Sequence, residues 1–169
     1  MILISACLAG KNVKYNGGNN KLPWLCRWIA RYPEYFLLAC PEVLGGLPVP
    51  RLPAEIQRKD AEEGGSSAES ILQHRRVVNN AGEDVTAQFM QGAEQALELV
   101  KKHHITVAIL KENSPSCGSS AIYDGTFSGT KIPGQGITAA LLAANGVAVY
   151  SEKTLTEERL RELTEGELF

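Results

Sequence analysis

Four short apolar runs punctuate the chain: Ile2-Leu3-Ile4, Phe36-Leu37-Leu38-Ala39, Val107-Ala108-Ile109-Leu110 and Val147-Ala148-Val149-Tyr150. Each is continuous rather than alternating, as expected of strands covered on both faces in a parallel sheet. Between them, apolar residues recur at three- and four-residue steps. Trp24, Leu25, Trp28 and Ile29 share one face of a helix spanning Trp24 to Tyr32. Phe89, Ala93, Ala96, Leu97 and Val100 predict a longer helix from Val85 to His104, with Asp84 as its N-cap. Ile137 to Ala144 reads as a short apolar helix stopped by Asn145-Gly146. Thr154 to Leu168 reads as a last helix, opened by the capping-box pattern Thr154-Leu155-Thr156-Glu157. Strands alternating with helices predict an α/β fold, a Rossmann-like three-layer sandwich with a mainly parallel sheet and right-handed crossovers.

Residues 45–84 break the alternation. Pro48, Pro50 and Pro53 are followed by the polar stretch Glu62-Glu63-Gly64-Gly65-Ser66-Ser67. Val77-Val78-Asn79-Asn80-Ala81-Gly82 has the composition of a small hairpin. The region is expected to be a long loop and hairpin insertion, partly mobile, covering one edge of the sheet. No internal repeat or second domain is evident, so residues 1–169 are expected to form one domain.

Composition narrows the function without naming it. An apolar share of 44% supports a sizeable core, and a net charge of -2 gives no general attraction to nucleic acid or anionic membrane surfaces. The short basic cluster His74-Arg75-Arg76 reads as a solvated face. No apolar run has the length of a membrane span, and the N-terminus lacks the pattern of a signal peptide. A cytoplasmic protein is therefore expected, with no nucleic-acid or membrane partner. A homo-oligomer is compatible with this reading.

The four cysteines, Cys7, Cys26, Cys40 and Cys117, include no CxxC pair. In a reducing compartment such thiols are buried, catalytic or metal-binding rather than a disulfide framework. Cys26 lies within a helix and reads as packing. Cys7, Cys40 and Cys117 each follow a different strand. Parallel strands point their carboxyl ends to one rim, where open α/β folds bind ligands. The three thiols should thus converge there. Sulfur ligands select zinc, copper(I) or an iron–sulfur cluster, and three ligands without a fourth suggest a metal centre that binds its substrate. Glu42 should reach the same rim. So should Ser114 and Ser116, which bracket Pro115 in Glu112-Asn113-Ser114-Pro115-Ser116-Cys117-Gly118-Ser119-Ser120.

These motifs resemble a known family. Ser5-Ala6-Cys7-Leu8-Ala9-Gly10 with Val13-Lys14-Tyr15-Asn16-Gly17-Gly18 looks like the opening of the family once called domain of unknown function 523. The segments Cys40 to Leu47, Pro50 to Ile56, Leu110 to Gly118, Tyr123 to Phe127 and Gly134 to Ala139 continue the likeness, which runs from Met1 to about Glu152. Lys14 and Asn16 stand where that family is associated with Arg and Asp. Characterised members are 2-thiouracil desulfurases with a [4Fe-4S] cluster on three cysteines.

The resemblance implies Cys7, Cys40 and Cys117 as cluster ligands and a small-molecule thiocarbonyl substrate whose sulfur meets the remaining iron. It implies Glu42 and Ser114 as catalytic residues, with Ser116 the second serine. Arg51, Lys111 and Asn113, within the same motifs, are the expected substrate-binding residues. The implied reaction replaces sulfur by oxygen without net electron transfer. Two other readings stand beside it. Gly134-Gln135-Gly136 before a helix could offer N–H groups to the anion of a nucleotide-like ligand in a non-catalytic binding module. A thiol-based redox enzyme would need a reactive cysteine pair, which the absent CxxC disfavours.

Overall fold

The computed structural model describes residues 1–58 and 75–165. Four parallel strands, β1 (Ile2–Ser5), β2 (Phe36–Ala39), β5 (Val107–Leu110) and β8 (Ala148–Ser151), form the central sheet in the order β2-β1-β5-β8. They correspond to the four apolar runs. The register aligns Ile4 with Leu38 and Ile109, and Ile109 with Tyr150.

Side chains alternate between two cores. Ile2, Ile4 and Ile109 point to one face, packing with Leu25 of α1 (Pro23–Arg31) and Leu160 of α5 (Glu157–Glu165). Leu3, Ala108 and Leu110 point to the other, against Val100 of α3 (Thr86–Lys102) and Leu142 of α4 (Ile137–Ala144). Burial on both sides explains why these strands read as unbroken apolar runs. The result is helices, sheet, helices, in three layers.

The described parts of the 45–84 region, residues 45–58 and 75–84, hold more regular structure than a long loop. After β2 the chain turns through α2 (Pro41–Leu44), then forms β3 (Ala54–Arg58), which pairs antiparallel with β4 (Arg75–Asn79). This pair forms its own two-stranded sheet. Ile56 and Val77 bury against Phe89 and Ala93 of α3 and Ile122, rather than extending the central sheet. The expected reversal after Val77 is present: Asn79 Oδ1 accepts from the N–H groups of Ala81 and Glu83, and Val78 bridges back to Asp84. Its strand nevertheless takes β3 as main partner. The stretch Glu62 to Ser67 lies outside the described residues.

A second hairpin, β6 (Ala121–Tyr123) with β7 (Lys131–Pro133), was not evident from periodicity, because three-residue strands are too short to show one. Two helix starts also differ from expectation. Asp84 Oδ1 accepts from Thr86 N, but Val85 is the N-cap of α3. At α5 the cap is Thr156, whose hydroxyl accepts from Arg159 N, while Thr154 Oγ1 accepts from Ser151 N. Thr154 is held by β8 and so is not available to cap the helix.

His74 of the basic cluster lies outside the described residues, and its two arginines are not simply solvated. Arg75 Nη1 donates to Gln135 O at 2.7 Å, and Arg76 pairs with the half-exposed Asp84. Arg75 thereby ties β4 to the turn before α4.

Two glycines bring α2 and α3 into backbone contact. A Cβ on Gly45 would lie 1.9 Å from Gln88 O, and one on Gly92 would lie 1.9 Å from Pro41 O. No side chain fits either position without separating the helices. This contact seats α2, and with it Cys40 and Glu42, against the longest helix of the fold.

Candidate active site

The connections leaving β1 and β5 run in opposite directions across the sheet, β1 to β2 and β5 to β8. A crevice forms at the strand ends where the winding direction reverses. Cys7 lies in the turn after β1, where Leu8 N donates to Ser5 O and Gly10 N to Cys7 O. Cys40 is the N-cap of α2, with Pro41 at the first helical position, where no intrahelical N–H is lost. Cys117 lies between β5 and β6 in a loop closed by Gly118 N donating to Ser114 O. All three border one cavity of about 460 Å³. Glu42, Arg51, Lys111, Asn113, Ser114 and Ser116 border it too. Cys26 lies apart on α1, its Sγ 3.8 Å from Leu8 O.

Gly118 serves the loop by being small. Its φ is not among the positive values of the chain, so the demand is for space: a Cβ would meet Ala121 O at 2.7 Å and Ser114 O at 2.9 Å. The left-handed residue here is Asn113, at φ 66°, a type that tolerates this conformation.

The loop is folded around Glu112, which is 2% exposed. Its Oε1 accepts from the N–H groups of Ser119, Ser120 and Ala121, and its Oε2 from the hydroxyls of Ser119 and Ser120. Burial alone would raise the carboxyl, but the Ser120 and Ala121 N–H groups, followed by the two hydroxyls, hold it down to about 2. Glu112 is thus a staple that holds the loop together rather than a solvated acid.

The depressed value favours the charged form in the fold. The resulting stability is full above the ordinary carboxyl value of 4.5 and is lost as pH falls toward about 2. Glu112→Gln should lower stability by about 1.5–3 kcal/mol at neutral pH, the usual worth of hydrogen bonds to a charged group. In urea titrations, the deficit relative to wild type should shrink across that acid window.

The acid–hydroxyl group is continuous. Glu42 Oε1 accepts from Arg51 Nε at 3.1 Å, and Glu42 Oε2 from Ser116 Oγ at 3.0 Å and Ser114 Oγ at 3.5 Å. The two serine oxygens are 3.0 Å apart. Ser114 Oγ also accepts from the N–H groups of Ser116 and Cys117, which occupies both its lone pairs. Its hydroxyl must therefore donate. Ser116, receiving from Ser114, donates in turn to Glu42, or to Cys117 Sγ at 3.5 Å. The hydrogen bonds run in one direction, from Ser114 through Ser116 to the carboxylate.

Of the three expected substrate contacts, two have protein partners. Arg51, besides Glu42, reaches Val13 O through Nη2 and Pro48 O through Nη1. Lys111 Nζ meets Glu152 and Glu112 O. Asn113 differs, because its Oδ1 is buried without a partner.

Burial raises all three thiol pKa values. For Cys7 the Asn20 side chain opposes this and the neighbouring Cys40 adds to it. For Cys40 the Val43 N–H opposes it and Glu42 adds to it. Cys117 is pushed up to about 12, against the Ser5 and Ser116 hydroxyls and with Cys7 and Cys40 nearby. A thiol so placed ionises readily only beside a cationic centre, which reverses the local balance. Among the described residues, no three His, Cys, Asp or Glu side chains are close enough to share a single metal ion. Three spaced thiols around a roomy cavity instead suit a cluster, where each thiolate takes a different iron. A set of three leaves one iron without a protein ligand.

The Gly134-Gln135-Gly136 turn has another use than anion binding. Gly136 N donates to Gly118 O, Ile137 N to Pro115 O and Ala139 N to Ser116 O. A Cβ on Gly136 would come within 2.5 Å of Ser116 C. The start of α4 is spent on holding the cysteine loop.

The chain is similar to known proteins over nearly its whole length. A family model described as 2-thiouracil desulfurase matches residues 2–154. The uncharacterized protein YbbK of Bacillus subtilis (strain 168) is 43% identical over 157 residues, spanning 93% of this chain and 99% of that protein. A solved structure described as the [4Fe-4S]-dependent thiouracil desulfidase TudS is 42% identical, with a TM-score of 0.79 and 97% of each chain covered. With a whole-fold likeness and a family match over nearly its full length, this chain belongs to the 2-thiouracil desulfurase family.

Proposed function

We propose that this protein is a [4Fe-4S]-dependent desulfurase of small thiolated heterocycles such as 2-thiouracil, converting thiocarbonyl and water to carbonyl and hydrogen sulfide. The convergence of Cys7, Cys40 and Cys117 with the Glu42–serine chain at one cavity carries this reading. Those three thiolates hold the cluster. When bound, the cluster supplies a Lewis-acidic iron to the substrate sulfur.

The chain's own residues govern water and protons. Glu42, oriented by Arg51, takes a proton from the water that attacks the ring carbon. Ser114 donates its hydroxyl proton toward the negative charge that develops on the ring, and Ser116 links it to Glu42 for return of the proton. Asn113, whose buried Oδ1 has no protein partner, receives a ring N–H of the substrate. Arg51 and Lys111 shape the cavity through their protein partners, Arg51 by fixing Glu42. No helix among the described residues is long and apolar enough to cross a membrane. Together with the free thiols, this supports placement in the cytoplasm, where thiols stay reduced. The 169 residues act as one domain on this reading.

Reconstitution without oxygen, followed by assay of sulfide release from 2-thiouracil, tests the reading. Full loading with iron and sulfide accompanied by uracil formation is expected. Loaded protein that releases no sulfide from any thiolated heterocycle would reject it.

A further inference from the structure

The motif Tyr123 to Phe127 has no part in the chemistry above, yet one of its residues lies at the cavity in an unfavourable conformation. Phe127 has φ 55°, a left-handed backbone rare for a bulky side chain. Phe127 is 38% exposed and lines the cavity that the three thiols border. The strain opposes folding, and a half-exposed side chain outside the hydrophobic clusters gains little burial to offset it. An observed backbone outlier beside a site points to a role there.

The loop is built to hold Phe127 in this state. Glu55 of β3, only 7% exposed, accepts at one carboxylate oxygen from Gly125 N at 3.1 Å and Phe127 N at 3.3 Å. Gly125, at φ 91°, sits so close to β3 that a Cβ would lie 2.7 Å from Ile56 O. Asp124 Oδ1 accepts from Thr126 N and Oγ1, and Thr126, Ser128 and Thr130 continue a chain of hydroxyl contacts. These bonds cross-brace the loop that carries Phe127. The other exposed aromatic side chain among the described residues, Tyr15, borders the same cavity.

We propose that Phe127 is a stacking wall that selects flat, conjugated thiocarbonyl rings, and that buried Glu55 is the residue positioning it. The inference rests on the desulfurase reading for its choice of ligand. A planar ring presents a π-face to the phenyl, whereas a ring-saturated analogue with the same thiocarbonyl edge is puckered and does not.

The test uses anaerobically reconstituted protein with 2-thiouracil and its ring-saturated dihydro analogue, assayed for turnover and, separately, by calorimetric binding. Phe127→Ala should raise KM for 2-thiouracil about tenfold, the usual scale of a base–aromatic stack, while kcat changes by less than about twofold. Its preference for the flat ring should fall to near parity, and Phe127→Tyr should keep that preference. Glu55→Ala should reproduce the KM effect, and Glu55→Gln, which retains an acceptor oxygen, should restore it. Combining Glu55→Ala with Phe127→Ala should add nothing further, as for residues acting through one another. An unchanged flat-ring preference in Phe127→Ala, or additive effects in the double variant, overturns the proposal. Calorimetric preference decides the stacking role even if wild-type protein releases no sulfide, so failure of the wall and failure of the desulfurase reading are told apart.

Discussion

Alanine at Cys7, Cys40 or Cys117 is expected to abolish both cluster assembly and sulfide release, each substitution alone being sufficient. The three thiols come from three strand ends, so none has a neighbour able to replace it. The acids that border the cavity are already engaged: Glu42 by Arg51 and the serines, Glu55 by the Gly125 and Phe127 N–H groups, and Glu112 by the N–H and hydroxyl donors of its own loop. The change in packing is small at each position. Loss of iron would therefore report ligation rather than unfolding, which circular dichroism can verify. Cys26→Ala is the matched control, since its thiol lies on α1 with Leu8 O as its contact. Iron and acid-labile sulfide analysis after reconstitution without oxygen, with visible absorption, gives the result directly. Full iron content with turnover in Cys117→Ala would remove that residue from the ligand set.

Glu42→Gln should leave the cluster intact and lower kcat by about 10²–10⁴-fold, the range for loss of a positioned general base. The amide keeps the shape of the side chain and can still accept from Ser116 or Arg51, but it cannot take a proton from water. Separating its effect from a packing defect is straightforward because α2 is seated by the Gly45 and Gly92 backbone contacts, which the substitution does not touch. The serines should not behave alike. Ser114 accepts two backbone N–H groups while donating onward, so Ser114→Ala removes a hydroxyl from the cavity and also leaves the Ser116 and Cys117 N–H groups unpaired. Ser116→Ala interrupts the link, yet Ser114 retains its longer contact of 3.5 Å to Glu42. The larger fall in kcat is therefore expected for Ser114→Ala. Single-turnover measurement at matched iron content distinguishes the two.

Much of this arrangement was legible from the chain alone, and the reason is locality. A strand buried on both faces must be apolar throughout, so β1, β2, β5 and β8 announced themselves. Because parallel strands share a direction, thiols at three of their ends had to approach one rim, and Glu42, two residues beyond Cys40, had to come with them. The covalent chain itself enforces both inferences. Other features depended on groups far apart in sequence, which no local pattern encodes. The strand β3 has Ile56 as its deeply buried apolar residue and finds its partner beyond the 59–74 interval, so it reads as loop until β4 is placed beside it. Glu55 and Glu112 look like ordinary surface acids; only the fold removes them from water and supplies N–H donors from residues seventy and eight positions away. Arg51 and Lys111 look like free cations for a substrate, until Glu42 and Glu152 are brought within reach. Residue type and spacing thus determined the sheet, its rim and the sulfur set. The tertiary structure decided which charges are spent and which polar atoms are left open, because desolvation and long-range hydrogen bonding exist only once distant segments have met.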